Sequence, residues 1–319
     1  MEFGKFTDAS RVINKGMFLV LTINSFGTTR KVNSSEVVSD SVDADKKRFR
    51  VSKKLMESDE IDAIRSFDGH TRKWIEGKSL PFEQPGVHII PYGLFDETEA
   101  YLMNRAGRRE ELVTALLDAF PAIKENDRKS LGDQFDDDDY PTIPEIRATY
   151  SMKWRFLTFE TPEKIKSINR AAFEREKQKN VQMWAEAGAL ADQYLHKCMK
   201  ELVEHMVDSL TGKKDGKKKS FYASTLTNVR DFLKDFNPRN INDNQELSVL
   251  ADRLKNALEG VDIEDLKKSE GTRDFVKAKF EQVKRQLDTM MIDRPRRMIS
   301  FDDEDAPPPS GGPDIQPAA

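Results

Sequence analysis

The chain has 319 residues, 37% of them hydrophobic and 34% charged, with 52 basic side chains against 56 acidic ones for a net charge of -4. That length buries a sizeable core and fits one large or two modest domains. The polar composition suits long helices with broad solvated faces, and the near balance of charge excludes a strong overall attraction to nucleic acid or an anionic membrane.

Met17 to Ile23 is aliphatic and β-branched. It is too short to span a bilayer and follows a start without a basic leader or cleavage pattern. No membrane association is expected, and the location expected is the cytoplasm of a bacterium or phage-infected host cell. The stretch reads as a buried strand that turns at Phe26 and Gly27 into a second strand over Thr28 to Val32, forming an N-terminal hairpin. Asp40 to Arg50 is too charged for core and is expected to be a loop. Ser58 is a good N-cap for a helix carrying Ile61, Ile64, Phe67, Trp74 and Ile75, interrupted at Gly69.

Val87 to Pro91 is a short strand between breakers and is expected to join the hairpin. Asp96 and Glu99 form a capping-box pattern for a long amphipathic helix with Leu112, Val113, Leu116, Leu117 and Phe120, ending at Pro121. The run Asp136 to Asp139 repels itself, so Gly132 to Tyr140 is expected as an exposed loop. Thr142 and Pro144 suit a helix start, and Trp154 to Phe159 a strand.

Past Pro162 the pattern is helical almost to Met291. Trp184, Ala187, Ala191, Leu195, Cys198, Leu202, Met206 and Leu210 make an apolar stripe on a helix starting near Glu163, roughly 45 residues and 65 Å long. Its stripe lacks a clean heptad, so packing within the chain is expected over self-association. Gly212 stops it, and Lys213, Lys214, Lys217, Lys218 and Lys219 fall in a flexible basic loop. Phe221 to Phe236 forms the next helix, ended by Asn237 and Pro238. Asn242 and Gln245 cap another with Leu247, Leu250, Leu254 and Leu258 inside, and Asp262 begins a helical turn. Gly271 and Thr272 introduce the last helix, with Phe275, Val276, Phe280, Val283, Leu287 and Met291 on one face. The remainder is rich in proline, glycine and acid, and is expected to be disordered.

The fold class that follows is mainly α. A small α+β N-terminal domain (1–161) precedes an all-helical domain with a long amphipathic helix (162–292) and an acidic, proline-rich tail (293–319).

Candidate chemistry is sparse. Among the four histidines, His196 and His205 are nine residues apart and face opposite sides of a helix, and Glu201 with His205 reads as an ordinary i,i+4 pair before it reads as a metal site. No phosphate-binding glycine loop follows a strand. Ser25 and Ser66 lack a nucleophile elbow, and Cys198, the lone cysteine, sits on the apolar stripe where an inert thiol is expected. Asp136 to Asp139 lack the alternating spacing and turn glycine of a calcium loop. No catalytic, cofactor or metal residue is assigned. The lysines at 213, 214, 217, 218 and 219 are the candidate contact with nucleic acid or a partner, with Phe221 and Tyr222 beside them able to stack on bases.

Three stretches of the N-terminal half carry a resemblance: Leu19-Val20-Leu21-Thr22-Ile23-Asn24-Ser25-Phe26-Gly27, the Lys53-Lys54-Leu55 region leading to a helix, and Gly86-Val87-His88-Ile89-Ile90-Pro91 before a long helix. In these the chain resembles a family of uncharacterised phage and mobile-element proteins, often encoded beside a MoxR-type AAA ATPase and a von Willebrand factor A-domain protein. Members more often carry Trp where Phe26 stands. The resemblance implies a neighbourhood, and with it partnership with the ATPase or the A-domain protein, but no reaction. The function expected is a non-enzymatic adaptor making protein contacts through the helical half. The alternative is a DNA-associated phage or plasmid protein using the lysine loop.

Overall fold

The computed structural model describes residues 14–32, 50–158, 163–211 and 221–290, and the backbone of 213–214 and 217–218. Strand β1 (Gly16–Asn24) lies inside a four-stranded antiparallel sheet of order β4-β5-β1-β6, with β4 at Leu80–Pro81, β5 at Val87–Pro91 and β6 at Ser151–Leu157. Neighbouring side chains on a strand point to opposite faces, yet Phe18 and Leu19 are both 0% exposed. Both faces of the sheet are therefore covered, which is why β1 is apolar without alternation. Phe18, Leu80 and Ile89 share a core with Trp184 and the other helices of the second half. Leu19 and Ile90 pack on the other side against Ile75 and Leu102. At Gly16 the backbone passes so close to β5 that a Cβ would stand 3.0 Å from the Ile89 side chain.

The expected N-terminal hairpin does not form. β2 (Thr29–Val32) pairs with β3 (Val51–Lys54) from Thr29↔Lys54 to Val32↔Val51, while β1 takes β5 and β6 as neighbours. A strand apolar on both faces needs an interior place, whereas β2, with its exposed Thr29 and Lys31, suits a surface ribbon. The loop expected at 40–50 lies outside the described residues save for Arg50.

Helix α1 (Asp59–Lys78) starts at Ser58, whose hydroxyl accepts from the Ile61 N–H, and continues through Gly69. Its buried stripe includes Asp68 and Thr71. Arg109 of α2 (Phe95–Leu131) grips both Asp68 oxygens at 2.8 and 3.0 Å and donates to the Asn24 carbonyl at 2.8 Å. Asp96 lies within the first turn of α2, not at its cap. Nor does α2 end at Pro121, because Ile123 and Asp127 are buried beyond it. The Asp127 carboxylate accepts from the Met56 N–H at 2.5 Å and the Tyr140 hydroxyl at 2.7 Å. These tertiary anchors outweigh the one backbone hydrogen bond a proline removes.

The acidic segment is likewise ordered. Asp136 caps a 3-10 turn over Asp137–Asp139. Asp137 pairs with Lys124 and Arg128, and Asp139 with Lys53. These cations cancel the repulsion that made a free loop the sequence expectation. α3 (Ile143–Thr149) begins after Thr142 as its sequence predicts, with the Thr142 N–H and hydroxyl both donating to Glu145.

The helix expected from Glu163 is two: α4 (Glu163–Ile168) and, after a break at Asn169, α5 (Arg170–Leu210). The Asn169 side chain accepts from the Ala172 N–H at 3.0 Å and so caps the second. At 41 residues, α5 runs about 60 Å. Met199 and Val203 are buried where the stripe was drawn through Cys198 and Leu202, which are half-buried at its edge. α6 (Ala223–Arg239) continues past Asn237 and Pro238, since Arg239 is buried and donates to the Ser79 carbonyl at 3.2 Å.

α7 (Gln245–Ala257) is capped by Asn244, while Asn242 donates to Asp192 of α5. α8 (Ile263–Lys268) follows the expected Asp262 cap, and α9 (Glu270–Thr289) starts from Ser269. The fold is mainly α, with nine α-helices among the described residues. None of these helices is long and apolar enough to cross a membrane. Gly212, Met291 and the tail lie outside the described residues.

Candidate functional site

Helix α9 packs on α5, and α7 lies antiparallel against α9. Their buried stripes are Leu247, Leu250, Ala251, Leu254 and Ala257 on α7 and Val276, Phe280, Val283 and Leu287 on α9. Two large apolar side chains stand off these stripes, Val249 at 49% and Phe275 at 53% exposure. Between the helices they border two adjoining clefts. One, of about 600 Å³, lies against Glu246, Val249, Leu250 and Met290. The other, of about 400 Å³, lies against Ala257, Phe275, Lys279 and Val283. Arg253 lines both clefts and reaches across to Gln286 of α9. The Lys279 ammonium sits 5.5 Å from the centre of the Phe275 ring. The result is a groove with a buried apolar floor at Leu250, Ala257 and Val283 and mostly polar walls, where Asn256, Gln282, Gln286 and Thr289 stand beside Arg253 at its middle and Lys279 at the Phe275 end.

Reading Phe275 and Val276 as one face missed this groove, because adjacent helical residues lie about 100° apart and only one can point at the core. The signal was present in that the stripe at 276, 280, 283 and 287 is complete without Phe275.

Of the lysine tract, the structure describes backbone alone. β7 (Lys213–Lys214) and β8 (Lys217–Lys218) pair antiparallel, Lys213 with Lys218 and Lys214 with Lys217. A short ladder thus stands where the sequence reading placed a flexible loop. Lys219 lies outside the described residues. The two aromatics beside the tract separate: Phe221 is 5% exposed in the core, whereas Tyr222 is 69% exposed.

The other candidate groups have local roles. Glu201 pairs with Lys197. Nδ1 of His88 and the Ser79 hydroxyl are 3.2 Å apart, but Ser79 is 1% exposed, so the pair joins the end of α1 to β5. Burial holds His88 below its ordinary pKa of 6.5. Burial also pushes the Cys198 thiol up, away from the thiolate. Among the described residues no group of three or more His, Cys, Asp or Glu is arranged to hold a metal ion. Comparison with protein-family models, curated proteins and solved structures finds no match to this chain.

Proposed function

We propose that this chain is a non-enzymatic accessory protein that binds another protein through the α7–α9 groove. The observation that carries the reading is the exposure of Val249 and Phe275 along a cleft with an apolar floor. Apolar side chains left in water beside a cleft are surface that a partner's apolar side chain covers favourably, at about 25 cal/mol per Å² removed from water. The resemblance of the N-terminal half names the candidate partner, a MoxR-type AAA ATPase of a phage or mobile element.

The test is recovery of the purified ATPase on the immobilised chain, with ATP or a slowly hydrolysed analogue. Nucleotide-dependent recovery that Phe275→Asp abolishes supports the adaptor. Recovery unaffected by Phe275→Asp moves the contact elsewhere, and no recovery removes the ATPase as partner.

A second reading is favoured by Tyr222, exposed beside Lys213, Lys214, Lys217, Lys218 and Lys219. Cations for phosphates and a ring for stacking are the parts of a single-strand contact. If nucleic acid binds there, affinity falls steeply with salt and drops when Lys217, Lys218 and Lys219 become Ala. Indifference to both removes this reading.

A further inference from the structure

The two edges of the four-stranded sheet differ in what they offer. β4 is two residues long and ends in a proline, whereas β6 pairs with β1 along its whole length, from Ser151↔Asn24 to Leu157↔Phe18. The register decides which backbone groups of β6 face outward. The Leu21 N–H donates to the Gly86 carbonyl on the β5 side of β1. Along an antiparallel strand the residues turn their backbone groups alternately to one neighbour and to the other. Leu21 therefore turns away from β6, and its partner Trp154 turns away from β1. Met152 and Phe156, two positions to either side, turn the same way. The N–H and carbonyl groups of these three residues form an outer row, and no backbone group among the described residues pairs with it.

The side chains of β6 divide between two faces. Met152, Trp154 and Phe156 are half-buried and pack on the cluster of Leu19, Ile75, Ile90 and Leu102. Lys153 and Arg155 stand on the opposite face, both exposed, and none of the described residues forms an ion pair with either.

We propose that the outer edge of β6 takes up an extended segment of a partner protein in which apolar and acidic residues alternate, added antiparallel as a further strand of the sheet. In such an addition the backbone hydrogen bonds carry affinity and the side chains carry the choice of sequence. Acidic residues fall opposite Lys153 and Arg155. Those positions are not hydrogen-bonded across the new pair, so facing side chains approach most closely there. Apolar residues fall opposite Met152, Trp154 and Phe156 and extend their face. A second copy of β6 is a poor occupant. Paired antiparallel about Trp154 it sets Lys153 against Arg155, and with the centre moved by one residue it sets Lys153 or Arg155 against itself. Charges that keep an edge from its own kind here select a strand of opposite sign. The edge belongs to the sheet alone and binds whether or not the α7–α9 groove does.

The experiment is titration of the full-length protein into a fluorescein-labelled peptide of alternating valine and glutamate, of the length of β6, read by anisotropy at low salt. In the antiparallel register the valine N–H groups point at β6 and the glutamate N–H groups point away. Methylating the valine amides should abolish binding. Methylating the glutamate amides, which also stops the peptide from pairing with itself, should leave binding intact. Lys153→Glu with Arg155→Glu should weaken the peptide about tenfold and strengthen a valine–lysine counterpart to a similar extent. Both side chains are exposed, and circular dichroism checks that the variant is folded.

Equal binding of the two methylated peptides overturns the proposal, as do indifference to the charge reversal and absence of binding at millimolar peptide. The reverse methylation pattern overturns the antiparallel register. A wild-type dimer that the peptide dissociates would give the edge to a second copy and overturn the acidic occupant.

Discussion

Lys78 and Asp235 stand 157 positions apart, and the ammonium of the first donates a 2.7 Å hydrogen bond to the carboxylate of the second. Their side chains are only 14% and 7% exposed, and Glu97 accepts from the same ammonium. The contact fastens the end of α1 to α6. Lys78→Met leaves Asp235 buried without its counter-charge and should cost about 3 kcal/mol, whereas Lys78→Met with Asp235→Leu should restore most of that loss. Urea unfolding of the four proteins in the cycle measures it. Additive losses would mean the two residues do not act as a pair.

Arg109 ties Asp68 of α1 to the Asn24 carbonyl at the end of β1, with its side chain 3% exposed. Lysine cannot span both carboxylate oxygens and the carbonyl with one ammonium, so Arg109→Lys should lower the thermal midpoint even though charge is kept. Arg109→Met should cost more, about 3 to 5 kcal/mol. An unchanged midpoint in the lysine variant would show that charge alone suffices there.

His88 gives the fold a dependence on mild acid. Burial holds its folded pKa below 6.5, so the unfolded chain takes up the proton first as pH falls. The stabilisation is fully present above 6.5 and is lost as pH drops through the folded value. Stability measured from neutral pH downward should decline less steeply in His88→Gln than in wild type. Parallel slopes would assign the decline to other groups.

Tyr194 acts at the opposite end of the scale. Burial, followed by the neighbouring Cys198, pushes its phenol up to about 12 from an ordinary 10.0. The unfolded chain ionises first as pH rises, so stability is intact below 10 and is lost between 10 and about 12. Tyr194→Phe should flatten that loss, with the tyrosinate absorbance of the folded protein rising at lower pH than in wild type once the late phenol is gone. An unshifted absorbance curve would contradict the assignment.

Pro121 lies inside α2 and is exposed. Its ring deprives the Leu117 carbonyl of a helical partner, a loss only partly offset by the stiffness proline gives the unfolded chain. Pro121→Ala should therefore stabilise by about 1 to 2 kcal/mol, read from the denaturation midpoint. A loss of stability would show that proline's backbone restriction at 121 helps to bring Asp127 to Met56 and Tyr140.

Much of the fold was legible in the sequence because the signals were local. Ser58, Thr142 and Asp262 mark helix starts, and the apolar period sets much of the buried face of α5, at Trp184, Ala187, Ala191, Leu195, Met206 and Leu210. Such signals need only the dihedral preferences of a few residues and the count of 3.6 per turn. Prolines misled for the same reason, since Pro121 and Pro238 break a helix locally but not where Asp127 and Arg239 anchor the next turn.

The candidate groove was hidden for a different cause. Phe275 reads as a core residue in a list of apolar positions, and only the packing of α9 on α5 and of α7 on α9 decides which side chains the core has room for. The sequence by itself determined the helical class, the caps at Ser58, Thr142 and Asp262 and the central apolar strand, all set by short-range periodicity and hydrogen bonding. Tertiary structure alone decided that β1 pairs with β5 and β6 and not β2, that Lys78 meets Asp235, and that an apolar cleft stays open between two helices. Those outcomes depend on which distant surfaces fill each other's volume, and no short stretch of sequence carries that information.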